Sequence, residues 1–176
     1  MRFCMALSAL GRGHYRLDGS ERMRERPIGQ LVDGLRALGA DVEYHGREGF
    51  CPLTVRGNGL SGGTVAFNQL ASSQFVSAVL LAAPAAMGDV LIDVEGPLLS
   101  APYVAMTTSL MKMFGPAVIE DVGAGSARWI VPAPQAYRSR HYAIEPDASN
   151  ASYFLAAPAV AGGRVTVAGL GTDSVQ

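Results

Sequence analysis

A chain of 176 residues, 49% of them hydrophobic, is long enough to bury a core and too apolar to remain disordered. Its formal net charge of −1 gives no electrostatic ground for binding nucleic acid or an anionic membrane surface. Cys4 and Cys51 form neither a CxxC pair nor a disulfide framework, which fits a reducing cytoplasm, and His14, His45 and His141 lack the spacing of metal ligands.

Residues 3–10 read as the back half of an apolar helix that ends at Gly11 or Gly13. The opening lacks the basic and apolar regions and the cleavage site of a signal peptide. A domain seldom begins inside a helix, so the chain is expected to be an internal segment of a longer protein. A short strand over 14–17 follows. Next comes Ser20-Glu21-Arg22-Met23-Arg24-Glu25-Arg26-Pro27-Ile28-Gly29, and then Ile28, Leu31, Val32, Leu35 and Leu38 mark one face of a helix.

Pro27 suits the first position of that helix, expected over 27–38, because its φ is preset and its missing N–H would have had no helical partner. Three arginines then crowd an N-terminus that already carries about half a positive charge. Either Arg and Glu pair locally in a solvated turn, or Arg26 and the free helix N–H groups hold an anion. Composition leaves both open.

Gly39 closes this helix, a natural left-handed position. Strands are expected over 42–45, 53–56 and 64–67. Ser72-Ser73-Gln74 then opens an apolar helix reaching Met87. Its apolar stretch 75–87 has 13 residues and includes Ser77 and Pro84, too short to cross a bilayer. A strand over 90–94 follows, then a helix opened by Ser100-Ala101-Pro102 and closed by Gly115, strands over 118–121 and 129–131, and a strand near 141–144. After Asp147 a third apolar helix over 151–160 leads to Gly162-Gly163 and a strand over 165–167.

Gly13, Gly88 and Gly163 each precede a strand that leaves a helix, and they lie 75 residues apart and then 75 again. A fixed period with the same element order signals a tandem structural repeat. The unit reads β-α-β-α-β-β, giving an inside-out α/β (α+β) fold with buried helices and outer sheets. Residues 75–83 are nearly apolar all round, as a fully buried helix should be.

Other motifs carry less. Gly59-Leu60-Ser61-Gly62-Gly63 matches G-x-S-x-G, but a strand follows where the nucleophile elbow needs a helix. Ser109-Leu110-Met111-Lys112 matches S-x-x-K inside a helix, with no K-T-G elsewhere, so Lys112 reads as a surface lysine. Asp89, Asp93 and Glu95 mark the solvent face of one strand. Ser72 is a normal N-cap. Yet the interior helix starts all present hydroxyl, amide or guanidinium groups, and repeat symmetry would aim them alike. Such starts facing one cleft would attract a phosphate or carboxylate.

Four blocks, Arg22-Met23-Arg24-Glu25-Arg26-Pro27-Ile28-Gly29, Ser72-Ser73-Gln74-Phe75, Ser100-Ala101-Pro102-Tyr103 and Glu145-Pro146-Asp147-Ala148-Ser149-Asn150-Ala151-Ser152-Tyr153-Phe154-Leu155, closely resemble the 5-enolpyruvylshikimate-3-phosphate synthase family. The resemblance runs over essentially the whole chain. It implies two globular domains of three β-α-β-α-β-β units each. Residues 1–144 would then hold about two units of one domain, and 145–176 the crossover and the start of the other. It further implies transfer of the enolpyruvyl group of phosphoenolpyruvate to the 5-hydroxyl of shikimate 3-phosphate, without metal or organic cofactor, by a cytoplasmic enzyme that is monomeric at full length.

By the same resemblance Arg26 grips phosphoenolpyruvate, and Ser72, Ser73, Ser100 and Tyr103 bind shikimate 3-phosphate. Gln74 touches both substrates, and Asp147 is a hinge candidate. No catalytic acid or base is expected on this chain: the family's aspartate base and lysines would lie beyond Gln176. The alternatives are an enolpyruvyl transferase acting on a UDP-amino sugar and a non-catalytic chain that keeps the fold.

Overall fold

The computed structural model describes residues 1–123, 125–171 and 174–176. Residues Met1–Arg138 form one compact unit and Ser139–Gln176 a second. The first begins with α1 (Arg2–Leu10), β1 (Arg12–Leu17), a four-residue helix α2 (Glu21–Arg24), α3 (Gly29–Ala37), β2 (Asp41–Tyr44) and β3 (Leu53–Asn58). It continues with β4 (Gly63–Asn68), α4 (Ser73–Ala82), β5 (Val90–Glu95), α5 (Ala101–Met113), β6 (Ile119–Val122) and β7 (Ser126–Val131). The stretch from β4 to β7 is one β-α-β-α-β-β unit, and the stretch before it supplies the same order from the first helix onward.

The sheets show the repeat directly. One has the order β1-β3-β2, with both pairings antiparallel. The other has the order β4-β5-β7-β6, where β4 and β5 are parallel and the rest antiparallel. Removing β4 from the second leaves the arrangement of the first.

Each sheet turns one face inward. Leu53 and Val55, then Val90, Ile92 and Val94, then Trp129 and Val131 are buried at alternate positions. The solvent faces carry ion pairs instead. Arg56 bridges Asp41 and Glu43, and Arg128 bonds Asp93 at 2.6 Å. Exposed pairs of this kind add little stability, but they keep the outer face polar. The helices fill the interior. In α4, Phe75, Val76, Ala78, Val79 and Leu80 are all buried, and α1, α3 and α5 pack around it.

Two helix boundaries and two expected strands differ from the sequence expectation. Ile28, with φ −136°, caps α3 and gives its N–H to Gly49 O at 2.8 Å, so the helix starts at Gly29 and Pro27 lies in the approach turn. The apolar helix stops at Ala82 and tightens into a 3₁₀ turn over Ala83–Ala85, because Pro84 cannot donate to a helical partner. The Tyr137 hydroxyl donates to Leu81 O at that end, and its partial desolvation pushes its pKa up to about 12. Segments 141–144 and 165–167 are not strands: a strand needs a ladder partner, and among the described residues neither has one.

In the second unit α6 (Ala148–Ala161) is capped by Asp147, whose Oδ1 accepts from Asn150 N at 2.9 Å. Glu145 is bonded by Ser174 and by the Val175 N–H. No helix is long and apolar enough to cross a membrane, and no group of metal-ligating side chains is present among the described residues.

Two contacts give direct tests. Gly57 of β3 lies under the end of α1, where an added Cβ would fall 2.7 Å from Gly11 O and closer still to Ser8 O. Backbone cannot swing aside as a side-chain tip can, so Gly57→Ala should cost roughly 1–3 kcal/mol, read as a lower urea midpoint at unchanged slope. Glu120 of β6 accepts from Thr108 Oγ1 at 2.9 Å and from Lys112, joining β6 to α5. Burial alone would raise its carboxyl pKa, but Lys112 and Thr108 outweigh that and leave it lowered. A carboxylate depressed by folding stabilises above its unfolded pKa, and that contribution fades as pH falls through the folded one. Wild type should therefore exceed Glu120→Gln in urea midpoint at about pH 7, and that advantage should shrink steadily as the pH is taken below the ordinary glutamate value of about 4.3.

A candidate anion site where helix starts converge

The starts of α1, α3 and α4 meet at one pocket of about 130 Å³, lined by Met1, Arg2, Phe3, Met23, Arg26, Ile28 and Gln74. That is below the roughly 300–1,000 Å³ of a pocket for a whole drug-sized ligand, and it suits one small anionic group. Ser72 caps α4 by accepting from Gln74 N at 3.4 Å, while neither α1 nor α3 has a side-chain cap. The first N–H groups of α3 therefore keep their donor capacity at its positive dipole end.

Arg2, the first residue of α1, is the best-held group in the pocket. Its Nη1 donates to Gln74 Oε1 at 2.6 Å and to Ser72 Oγ at 3.1 Å, and its Cζ lies 4.8 Å from the centre of the Phe75 ring. Burial and the nearby Arg26 lower its pKa. The guanidinium keeps its charge regardless. Two like charges thus face one small pocket, an arrangement that an anion would relieve.

The arginine run divides between the two readings of the sequence. Arg22 bonds Glu25 and Arg24 bonds Asp18, both at 2.7 Å, so these two belong to a locally paired turn. Asp18 is correspondingly held below the ordinary carboxylate range, by its bond from Arg24 first and the Gly19 N–H second. The Arg26 N–H donates to Met23 O at 3.3 Å, but its guanidinium has no hydrogen-bond or ion-pair partner among the described residues and lines the pocket.

The structure thus brings Arg26 and Gln74 together, with Ser72 joined to them through Arg2. Ser73, at the first position of α4, is buried at 6% exposure. Ser100 and Tyr103 stand apart, at the start of α5, and do not line this pocket. Ser100 caps α5 in the left-handed conformation, φ 55°, with its side chain making no cap bond, and Tyr103 is 54% exposed. Non-glycine residues held in that conformation cost energy and cluster at working sites. Thr107 on the next turn donates to Ser77 Oγ at 2.9 Å, fixing α5 against α4. Asp147 lies in the other compact unit.

Sequence reading missed Arg2.

Comparison with known proteins agrees with this architecture. The family model for EPSP synthase (3-phosphoshikimate 1-carboxyvinyltransferase) matches residues 1–176. The chain is 48% identical over 177 residues to the 3-phosphoshikimate 1-carboxyvinyltransferase of a Marinomonas species and 48% identical over 175 residues to that of Nostoc punctiforme. It spans 41% and 40% of their lengths, and 100% and 99% of itself is covered. An EPSP synthase structure from Acinetobacter baumannii shares the fold, with TM-score 0.70 at 21% identity over 91% of this chain and 34% of that one. Its repeat architecture and the match along its whole length establish that the chain belongs to the EPSP synthase family.

Proposed function

We propose that the chain supplies part of the active site of a 3-phosphoshikimate 1-carboxyvinyltransferase, a transferase of the shikimate route to chorismate and aromatic amino acids. The reaction moves the enolpyruvyl group of phosphoenolpyruvate to the 5-hydroxyl of shikimate 3-phosphate. The methylene carbon takes a proton and becomes a methyl group while the hydroxyl adds to the neighbouring carbon and loses its own proton. The tetrahedral intermediate then loses a methyl proton and inorganic phosphate, which restores the carbon–carbon double bond. Both substrates are anions throughout. The observation that carries this reading is the pocket in which Arg2, Arg26 and three helix starts face one another.

In this reading Arg26 and Arg2 hold the phosphate or carboxylate of phosphoenolpyruvate, where fixed donors counter charge without reorganising. Ser72, Ser73, Ser100 and Tyr103 bind shikimate 3-phosphate, and Gln74 touches both substrates. The left-handed backbone at Ser100 leaves its hydroxyl without a capping duty, which supports giving it to a ligand. Residues 1–144 belong to one domain, and 145–176 form the crossover into a second, with Asp147 as a hinge candidate. Closure of two domains would exclude water from the reacting groups. The enzyme works without a cofactor, in the cytoplasm, as a monomer. The relatives at 46–48% identity carry the phosphoshikimate name, which disfavours the UDP-amino-sugar alternative.

Arg26→Ala in the complete enzyme should weaken phosphoenolpyruvate about 10- to 100-fold, the worth of a charged hydrogen bond, and shikimate 3-phosphate far less. Arg2→Ala should weaken both, because Arg2 also holds Ser72 and Gln74. Equal loss for both substrates in Arg26→Ala would reduce that residue to a structural one. The pocket lining includes no carboxylate, imidazole or lysine to move a proton. The 176-residue chain alone should accordingly release no phosphate from the two substrates in a coupled assay.

A further inference from the structure

The loop that delivers Ser72, Ser73 and Gln74 is pinned by a residue outside it. Gln30, the second residue of α3, is half-buried, and its amide is spent entirely on the backbone of that loop. Its Oε1 accepts from Ala71 N at 3.0 Å, and its Nε2 donates to Gln69 O at 3.3 Å and Asn68 O at 3.4 Å. Leu70, between these contacts, is buried in the core. Gln69 is held at φ 51°, a conformation a non-glycine residue keeps only where its surroundings over-determine it. The amide of Gln30 is the side-chain group that grips the backbone on both sides of Gln69.

The helix that carries Gln30 also ends at the anion pocket. Two residues before it, Ile28 lines that pocket, and Arg26 stands just ahead. One arm of the site, Arg26 to Ile28, is thereby tied through Gln30 to the other, Ser72 to Gln74. Without the tie, the loop between Asn68 and Ser72 would be held only by Leu70 within it and by the Arg2 bonds to Ser72 and Gln74 at its far end.

We propose that Gln30 is a positioning residue: it clips the Asn68–Ala71 loop to α3, so that Arg26 and the Ser72-Ser73-Gln74 start are held in one fixed relation. It touches no substrate. The consequence for binding rests on the substrate reading given above, whereas the clip itself does not.

Hydrogen exchange in the 176-residue chain tests the clip without ligand. Gln30→Met keeps the side-chain length and removes every polar atom, so amides 69–74 should exchange about tenfold faster while those of β5 and the middle of α4 keep their rates. Gln30→Glu retains an acceptor for the Ala71 N–H, and Ala71 should stay slow. Wild-type exchange over 69–74 in Gln30→Met would overturn the proposal. So would faster exchange spread evenly over the chain, which would mark Gln30 as a general stabiliser. In the complete enzyme, Gln30→Met should raise KM for shikimate 3-phosphate about tenfold with kcat changed much less. An unchanged KM beside a loosened loop would also overturn the positioning role. If the wild-type enzyme does not use shikimate 3-phosphate, the substrate reading falls and the exchange result alone decides the clip.

Discussion

The architecture depends on one constraint, the burial of α4. With Phe75, Val76, Ala78, Val79 and Leu80 buried, this helix leaves only Gln74 and Leu81 to solvent. The packing of α1, α3 and α5 covers the rest, with the two sheets outside them. The sheets then need only one apolar face each, which is why their strands alternate and why charges such as Arg56 and Arg128 lie on the outer surface. Few polar side chains enter this interior, Ser77 and Thr108 among them, and the candidate site residues gather instead at the helix ends.

At those ends the electrostatics are deliberately unbalanced. A helix N-terminus favours an anion, yet α1 and α3 bring Arg2 and Arg26 to theirs. Nearby acids neutralise Arg22 and Arg24 but leave Arg26. Arg2 is held in place by neutral acceptors, Ser72 Oγ and Gln74 Oε1, which position a guanidinium without cancelling its charge. A carboxylate in either role would have filled the site from within. Neutral orientation of a cation is what an anion site needs, because the charge must remain available to the ligand.

Repetition explains both the likeness and the differences among the helix starts. The corresponding sheets share their strand order, so corresponding helices arrive at corresponding places. The starts then diverge in detail: Arg2 opens α1, Ser72 caps α4 with its own hydroxyl, and Ser100 caps α5 with its backbone turned left-handed and its side chain released. A common module thus yields three chemically different ends.

Much of this could be read from the chain itself. Apolar periodicity marked α3, a nearly unbroken apolar run marked α4, Ser100-Ala101-Pro102 and Gly115 bounded α5, and the 75-residue glycine spacing marked the repeat. These are local or periodic properties, set by backbone geometry and the partition of side chains between oil and water, and they need no knowledge of the contacts made. The family blocks likewise pointed to Arg26, Ser72 and Gln74. What the sequence could not decide depended on partners distant in the chain. That Ile28 rather than Pro27 borders the helix follows from its bond to Gly49. That Arg2 belongs with Ser72 and Gln74, 70 and 72 residues away, and that Gln30 grips the loop some 40 residues on, follows from packing around α4. Segments 141–144 and 165–167 had the composition of strands without a ladder to join. Hydrogen bonds between remote residues leave no periodic trace, so only the tertiary structure could settle them.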